Sequence, residues 1–216
     1  MKLVVEAHQQ QRLDQLLQNE PITSASRFQD LIEILPSLYD KALTNTNLTL
    51  SKQTINYLVN RLQEAEEIEI YATGVAYYLA QAASFKLATL GRPIQVYESL
   101  NRHYLTARST VKRVTFVVTF TGNNPQIIDM ARYLRSQTDS YLVGLAGPYQ
   151  EELATYCDQM IEIHNRDSLS SLDVVISFAS CNYIFDLLFS MLLTKQYDKH
   201  LETSMKMLEN KEKFSK

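Results

Sequence analysis

A chain of 216 residues with 45% hydrophobic and 21% charged positions has the size of one good-sized domain, with or without an appendage, and its composition excludes disordered, collagenous and low-complexity classes. Lysine and arginine number 21 against 24 aspartates and glutamates, a formal charge of −3. No cationic excess is left to neutralise a phosphate backbone, so nucleic-acid binding by this chain alone is not expected.

The first third reads as helices. From residue 3 to about 61, apolar residues recur at three and four positions: Leu13, Leu16 and Leu17, then Phe28, Leu31, Ile32, Leu35 and Leu38, then Ile55, Leu58, Val59 and Leu62. Pro21 separates the first two helices, Ser26 with Gln29 fits a capping box, and Pro36 is expected to kink or break the second by removing an amide donor. The polar, Asn/Thr-rich stretch 44–51 reads as a loop, with Ser51 capping the third helix.

After Glu67 the texture changes to short runs rich in β-branched and aromatic residues, at 68–72, 94–97, 114–119, 141–145 and 160–163. Helical stretches fall between them at 76–90, 125–136 and near 150–156. Strands buried on both faces and joined by helical crossovers predict an α/β fold, a five-stranded, mostly parallel, doubly wound sheet flanked by helices, with extra N-terminal helices. Residues 169–196 read as one long or broken apolar helical stretch, and 199–216, where Lys199, Lys206, Lys211, Lys213 and Lys216 alternate with Glu202, Glu209 and Glu212, as a solvated terminal helix. Three units are expected: linker or dimerisation helices over 1–50, a ligand domain over 51–196 and a C-terminal helix over 197–216.

The two cysteines, Cys157 and Cys181, match neither a CxxC redox pair nor zinc-knuckle spacing, so they are read as reduced thiols, with no metal and no cofactor. The apolar run 184–193 contains Asp186 and falls short of the roughly 20 residues of a bilayer span. The polar turn at Glu6 precludes a signal-peptide core of about 7 to 15 apolar residues. A cytoplasmic chain without a membrane partner is expected.

A sheet of this kind binds ligands outside the carboxyl ends of its strands, where strand order reverses, so the loops after the first, third and fourth strands matter. The segment Thr119-Phe120-Thr121-Gly122-Asn123-Asn124-Pro125 leaves a strand and enters a helix. Gly122 allows a turn or close approach, and the free amides of a helix N-terminus favour an anion. An ordinary turn, with Asn123 or Asn124 as a cap, remains the structural alternative. The loop Ala72-Thr73-Gly74-Val75-Ala76 also exposes amides. It is no dinucleotide fingerprint, since Ala72 and Tyr77 stand where glycines are needed, and no Gly-Lys-Ser/Thr ending makes either loop a nucleotide P-loop.

The run Ile70-Tyr71-Ala72-Thr73-Gly74-Val75-Ala76 and its helix resemble the opening G-x-G-x-S loop of the sugar isomerase (SIS) domain, and Thr119-Phe120-Thr121-Gly122-Asn123-Asn124 its S-x-S-G-x-T phosphate loop. Leu153-Ala154 through Asp158 is similar to the later "LA..AD" element, and Phe178-Ala179-Ser180-Cys181 through Phe189 to the end of SIS domains in RpiR-type transcriptional regulators. The resemblance runs over residues 50–195. It implies binding of a phosphorylated sugar by Thr73, Gly74, Val75, Ala76, Thr119, Thr121, Gly122, Asn123 and Asn124, and a homodimer or homotetramer. DNA is then contacted only through a helix-turn-helix domain, which this chain is expected to lack.

The loops depart from the family pattern: alanines replace the first glycine (Ala72) and the serine (Ala76), Thr119 and Thr121 replace serines, and Asn124 replaces a threonine. One lost hydrogen bond to a charged group is worth about 1.5 to 3 kcal/mol, roughly tenfold to a hundredfold in affinity, so weaker or altered selectivity is expected. Isomerisation needs a base near the reacting carbons. Glu98, His103, Glu151, Glu152 and His164 are candidates but form no recognisable constellation, so a non-enzymatic sensor is expected, ahead of an aldose-ketose isomerase and a degenerate dimerisation module.

Overall fold

The computed structural model describes residues 20–165 and 172–214. The expected helix around Leu13, Leu16 and Leu17 lies outside these residues. In chain order the elements are α1 (Phe28–Thr49), α2 (Lys52–Glu64), β1 (Glu67–Ala72), α3 (Val75–Ala88), β2 (Ile94–Tyr97), α4 (Arg102–Ala107), β3 (Arg113–Thr119), α5 (Pro125–Gln137), β4 (Tyr141–Ala146), α6 (Glu151–Ala154), β5 (Gln159–Glu162), α7 (Asp173–Lys195) and α8 (Tyr197–Phe214).

The five strands pair in the order β2-β1-β3-β4-β5, every pair parallel. Chain order runs outward from β1 to β2 on one side and from β3 through β5 on the other, so the switch point lies between β1 and β3. Alternation along the strands feeds two cores. Ile68, Ile70, Val114, Phe116, Val118, Val143 and Leu145 pack with α2, α3 and α7, whereas Tyr71, Val117, Leu142 and Ala146 pack with α4, α5 and α6. Both faces are therefore covered, as a parallel sheet requires.

Helix α1 docks on α7 through Leu38, Ala42, Ile176 and Ala179. It corrects three expectations. Its N-cap is Arg27, whose main-chain N–H donates to the Asp30 carboxylate at 2.7 Å; Ser26 instead accepts from the Thr23 amide. Pro36 does not break it: the helix runs on through the proline, and both Pro36 and Ile32, whose carbonyl loses its donor, are exposed, so the lost bond is not a buried one. Residues 44–49 are helical, and their polarity serves a polar seam against α7, where buried Thr46 lies 2.7 Å from Ser180 Oγ and Asn47 accepts from the Tyr183 hydroxyl. Ser51 caps α2 by accepting from the Thr54 amide.

Helix α7 is a single 23-residue element with the length and apolarity of a bilayer span, longer than the apolar run read from sequence. Its Ile184, Phe185, Leu188 and Leu192 are core residues. Under α4, a helix not anticipated from sequence, the sheet holds a charged island. The fully buried Arg113 side chain donates to Glu67 at 2.7 Å and lies 3.3 Å from buried Glu69, while Tyr104 and Arg108 also donate to Glu67. Burial raises the Glu69 pKa, whereas hydrogen bonds from Arg113 and Arg108 outweigh desolvation and lower that of Glu67.

Candidate functional site

Two loops leave the sheet at the switch point. Thr73 and Gly74 join β1 to α3, and Phe120–Asn124 joins β3 to α5. Between them lies a cavity of about 160 Å³, lined by Thr73, Val75, Ala76, Val118, Thr119, Phe120, Thr121 and Asn124. Six of the nine residues expected at the site thus share one wall. The N-termini of α3 and α5 both meet it, each the positive end of a helix dipole worth about half a charge; among the described residues the Val75 and Ala76 amides of α3 have no protein acceptor, whereas Pro125 has no N–H and Asn124 takes the next two amides of α5.

The loop after β3 has a fixed shape. The Gly147 amide donates to the Thr119 carbonyl and the Tyr149 amide to the Thr121 carbonyl, each at 3.1 Å. Gly122 has φ +94°, and a Cβ there meets Tyr149 C at 2.7 Å and Gly147 O at 2.8 Å. Its own amide donates to Thr119 Oγ1 at 3.2 Å. Gly122 is therefore buried and absent from the cavity lining: it makes the turn and is not a donor facing the cavity. Among the described residues, the main-chain N–H groups of Thr121, Asn123 and Asn124 have no protein acceptor.

Asn124 takes the capping role that the sequence offered as the structural alternative, and it also lines the cavity. Its Oδ1 accepts from the Gln126 and Ile127 amides at 3.0 and 3.3 Å, capping α5, and its Nδ2 donates to Thr73 Oγ1 at 3.4 Å across the cavity. Asn123 points elsewhere, into a shallow depression shared with Arg132, Tyr149, Glu151 and Glu152. Gly74, at φ +59°, donates its amide to Glu98 Oε1 at 3.3 Å, which sets one carboxylate at the rim. A second depression beside it is lined by Ser99, Leu100, Arg102 and Gln126.

The other candidate bases do not converge. His103 is exposed on α4, and Glu152 accepts from Arg132 at 3.2 Å on the outer surface, with exposed Glu151 beside it. His164 is half-buried behind the site, its pKa lowered by burial. Asn165, not singled out from sequence, donates to the Phe120 carbonyl at 2.9 Å. No local pattern marks it; only the fold brings it to the loop. Among the described residues no cluster of three metal-ligating side chains occurs.

No protein-family model matches the sequence, and no curated protein does. Solved structures do match. The Vibrio vulnificus NanR protein complexed with ManNAc-6P superposes with a TM-score of 0.71 at 18% identity, over 84% of this chain and 69% of that one. The sugar isomerase domain of an RpiR transcription factor from Sphaerobacter thermophilus gives 0.66 at 13% identity, over 82% and 97%. The chain has the SIS fold. The MJ1247 protein of Methanococcus jannaschii, described from its structure as a 3-hexulose-6-phosphate isomerase, gives 0.63 at 13% identity, over 81% and 96%. The SIS fold is thus shared by regulators and by a protein described as an isomerase, and it accommodates binding or catalysis. Within it, the five parallel strands and, α4 apart, the helices that flank them are those expected from the strand and loop pattern.

Proposed function

We propose that this chain is the phosphosugar-binding sensor domain of an RpiR-type transcriptional regulator of carbohydrate metabolism. The observation that carries the reading is the cavity between the N-termini of α3 and α5, walled by Thr73, Thr119, Thr121 and Asn124. At about 160 Å³ it is smaller than the roughly 300–1,000 Å³ of a whole-ligand pocket, which suits a phosphate group with the sugar reaching outward. No lysine or arginine lines it, so main-chain amides, hydroxyls and two helix dipoles hold the anion. The ManNAc-6P bound by the NanR protein is a ligand of this class.

In this reading residues 1–50 form linker and dimerisation helices, 51–196 the sensor and 197–216 a C-terminal helix, in a cytoplasmic homodimer or homotetramer. DNA contact belongs to a helix-turn-helix domain and not to these residues. The exposed stripe Val75, Tyr78 and Phe85 on α3, with Phe85 at 77% exposure, is the kind of apolar face a second copy covers. Thermal denaturation with a panel of phosphosugars tests the reading. At a hundred times Kd, stabilisation reaches about 2.7 kcal/mol, roughly 5 to 11 °C in Tm for a domain of this size. Stabilisation by no phosphosugar beyond that given by sulfate at equal ionic strength refutes it.

One observation favours an isomerase instead: the Glu98 carboxylate at the rim, held by the Gly74 amide. Turnover of an aldose or ketose phosphate that is lost in Glu98→Gln with ligand affinity retained selects the enzyme. Phosphosugar binding without turnover selects the sensor.

A further inference from the structure

The segment after β5 reaches both the cavity and α1. Asn165 Nδ2 donates to the main-chain carbonyl of Phe120, a residue of the cavity wall, at 2.9 Å. The preceding residue, His164, donates its amide to Ser180 Oγ of α7 at 2.8 Å, and its ring Nε2 faces Asn45 Nδ2 of α1 at 3.1 Å. Ser180 Oγ lies 2.7 Å from Thr46 Oγ1, which donates to the Ala42 carbonyl at 2.6 Å, and both hydroxyl residues are fully buried.

Donor counting fixes the direction of these bonds. Thr46 gives its single hydroxyl proton to Ala42, so it accepts from Ser180, which in turn accepts the His164 amide. An amide nitrogen can only donate, so His164 Nε2 accepts from Asn45 and the ring is neutral, its proton on Nδ1. The chain is buried at Thr46 and Ser180 and part-buried at Asn45, His164 and Asn165; at its buried centre each bond polarises the next, and breaking one leaves an unsatisfied group away from solvent.

We propose that His164 and Asn165 form a strut that positions the anion loop from helix α1, so that the seating of α1 and the shape of the cavity are coupled. Asn165 acts as a positioning residue through Phe120, and α1 acts on the loop through His164 and Ser180. The coupling is reciprocal by linkage: a ligand that tightens the loop also tightens α1. The part concerning ligand rests on the sensor reading above; the mechanical part does not.

The test uses hydrogen exchange in the full chain without ligand. The reporters are the Gly147 and Tyr149 amides, which donate to the loop carbonyls of Thr119 and Thr121, with the Val117 amide in β3 as reference. Asn165→Ala, Asn45→Ala and Thr46→Val are each expected to speed both reporters at least fivefold with Val117 unchanged. Thr46→Ser, which keeps the hydroxyl, is expected to retain wild-type rates. Asn47→Ala, on the same helix but bonded to Tyr183 and off the strut, is expected to be silent. Wild-type loop rates in the α1 variants overturn the proposal, and so does an acceleration that includes Val117, which reads as general loosening.

A second arm measures calorimetric binding of glucose 6-phosphate and N-acetylmannosamine 6-phosphate, where Asn45→Ala is expected to lose at least fivefold in affinity. Undiminished affinity in that variant overturns the ligand-linked part. Absence of binding by these two probes and by every phosphosugar of the thermal panel removes the sensor reading, while the exchange rates still decide the strut.

Discussion

Replacing Gly122 by alanine tests the geometry of the anion loop directly. The position has φ +94°, and an L side chain in left-handed backbone costs about 1 to 2 kcal/mol. The added Cβ also falls 2.7 Å from Tyr149 C and 2.8 Å from Gly147 O, both main-chain atoms. These atoms are held by the bonds from the Gly147 and Tyr149 amides to Thr119 and Thr121, so relief of the contact breaks at least one of them, at about 0.5 to 1.5 kcal/mol net. The total is about 1.5 to 3.5 kcal/mol. Gly91 supplies the control: its φ is +77° but nothing lies within 4 Å of its Cβ position, so Gly91→Ala carries the backbone cost alone. Urea denaturation of the two variants is expected to place Gly122→Ala below Gly91→Ala in stability, with phosphosugar stabilisation lost only in the former. Equal destabilisation refutes the argument that main chain packed against the turn excludes a side chain.

Other perturbations probe the core and its titrations. Arg113→Leu leaves Glu67 and Glu69 facing one another without their shared cation and is expected to cost about 3 to 5 kcal/mol; addition of Glu69→Gln is expected to recover part of this in urea melts, and no recovery argues against the charged island as the cause. Burial lowers the His164 pKa against the weaker opposing effect of Glu162. The stability this contributes is present above the ordinary histidine value of about 6.5 and is lost as pH falls through that value toward the depressed one. The stability difference between wild type and His164→Gln is therefore expected to shift against the wild type between pH 7 and pH 5, and a pH-independent difference refutes it. Burial pushes the Cys157 thiol up to about 12 and raises Cys181 as well. Native protein is expected to resist iodoacetamide at pH 8 under conditions that alkylate both thiols in urea; rapid labelling of Cys157 contradicts this.

What could be read from sequence follows from where each residue's partners lie. The strands were legible because both faces of the sheet are covered, so β3 and β4 carry unbroken apolar runs, Phe116-Val117-Val118 and Leu142-Val143-Gly144-Leu145-Ala146, with no polar residue on alternate positions within them. The loops were legible because Gly74 and Gly122 sit where the backbone takes positive φ. Helix α4 was not: its six residues include one buried side chain, Leu105, and its cap is Asn101, which accepts from the Tyr104 amide. Residues 44–49 looked like a loop because Asn45, Thr46 and Asn47 are polar, but their partners His164, Ser180 and Tyr183 stand more than a hundred positions away. Gly122 was placed among the anion-binding residues although Thr119, only three positions away, occupies its amide, and Asn165, whose partner Phe120 is 45 positions away, carried no signal at all. Local pattern reveals elements that satisfy themselves and conceals those satisfied by distant side chains.

The double duty of Asn124 narrows what can stand at that position. A residue there must begin α5 by accepting main-chain protons, which favours serine, threonine, asparagine or aspartate. It must also sit at the wall of a space suited to a negative guest, and aspartate brings a like charge to it. The admissible alphabet contracts to three neutral letters, which can be traded at this wall without unravelling the helix behind.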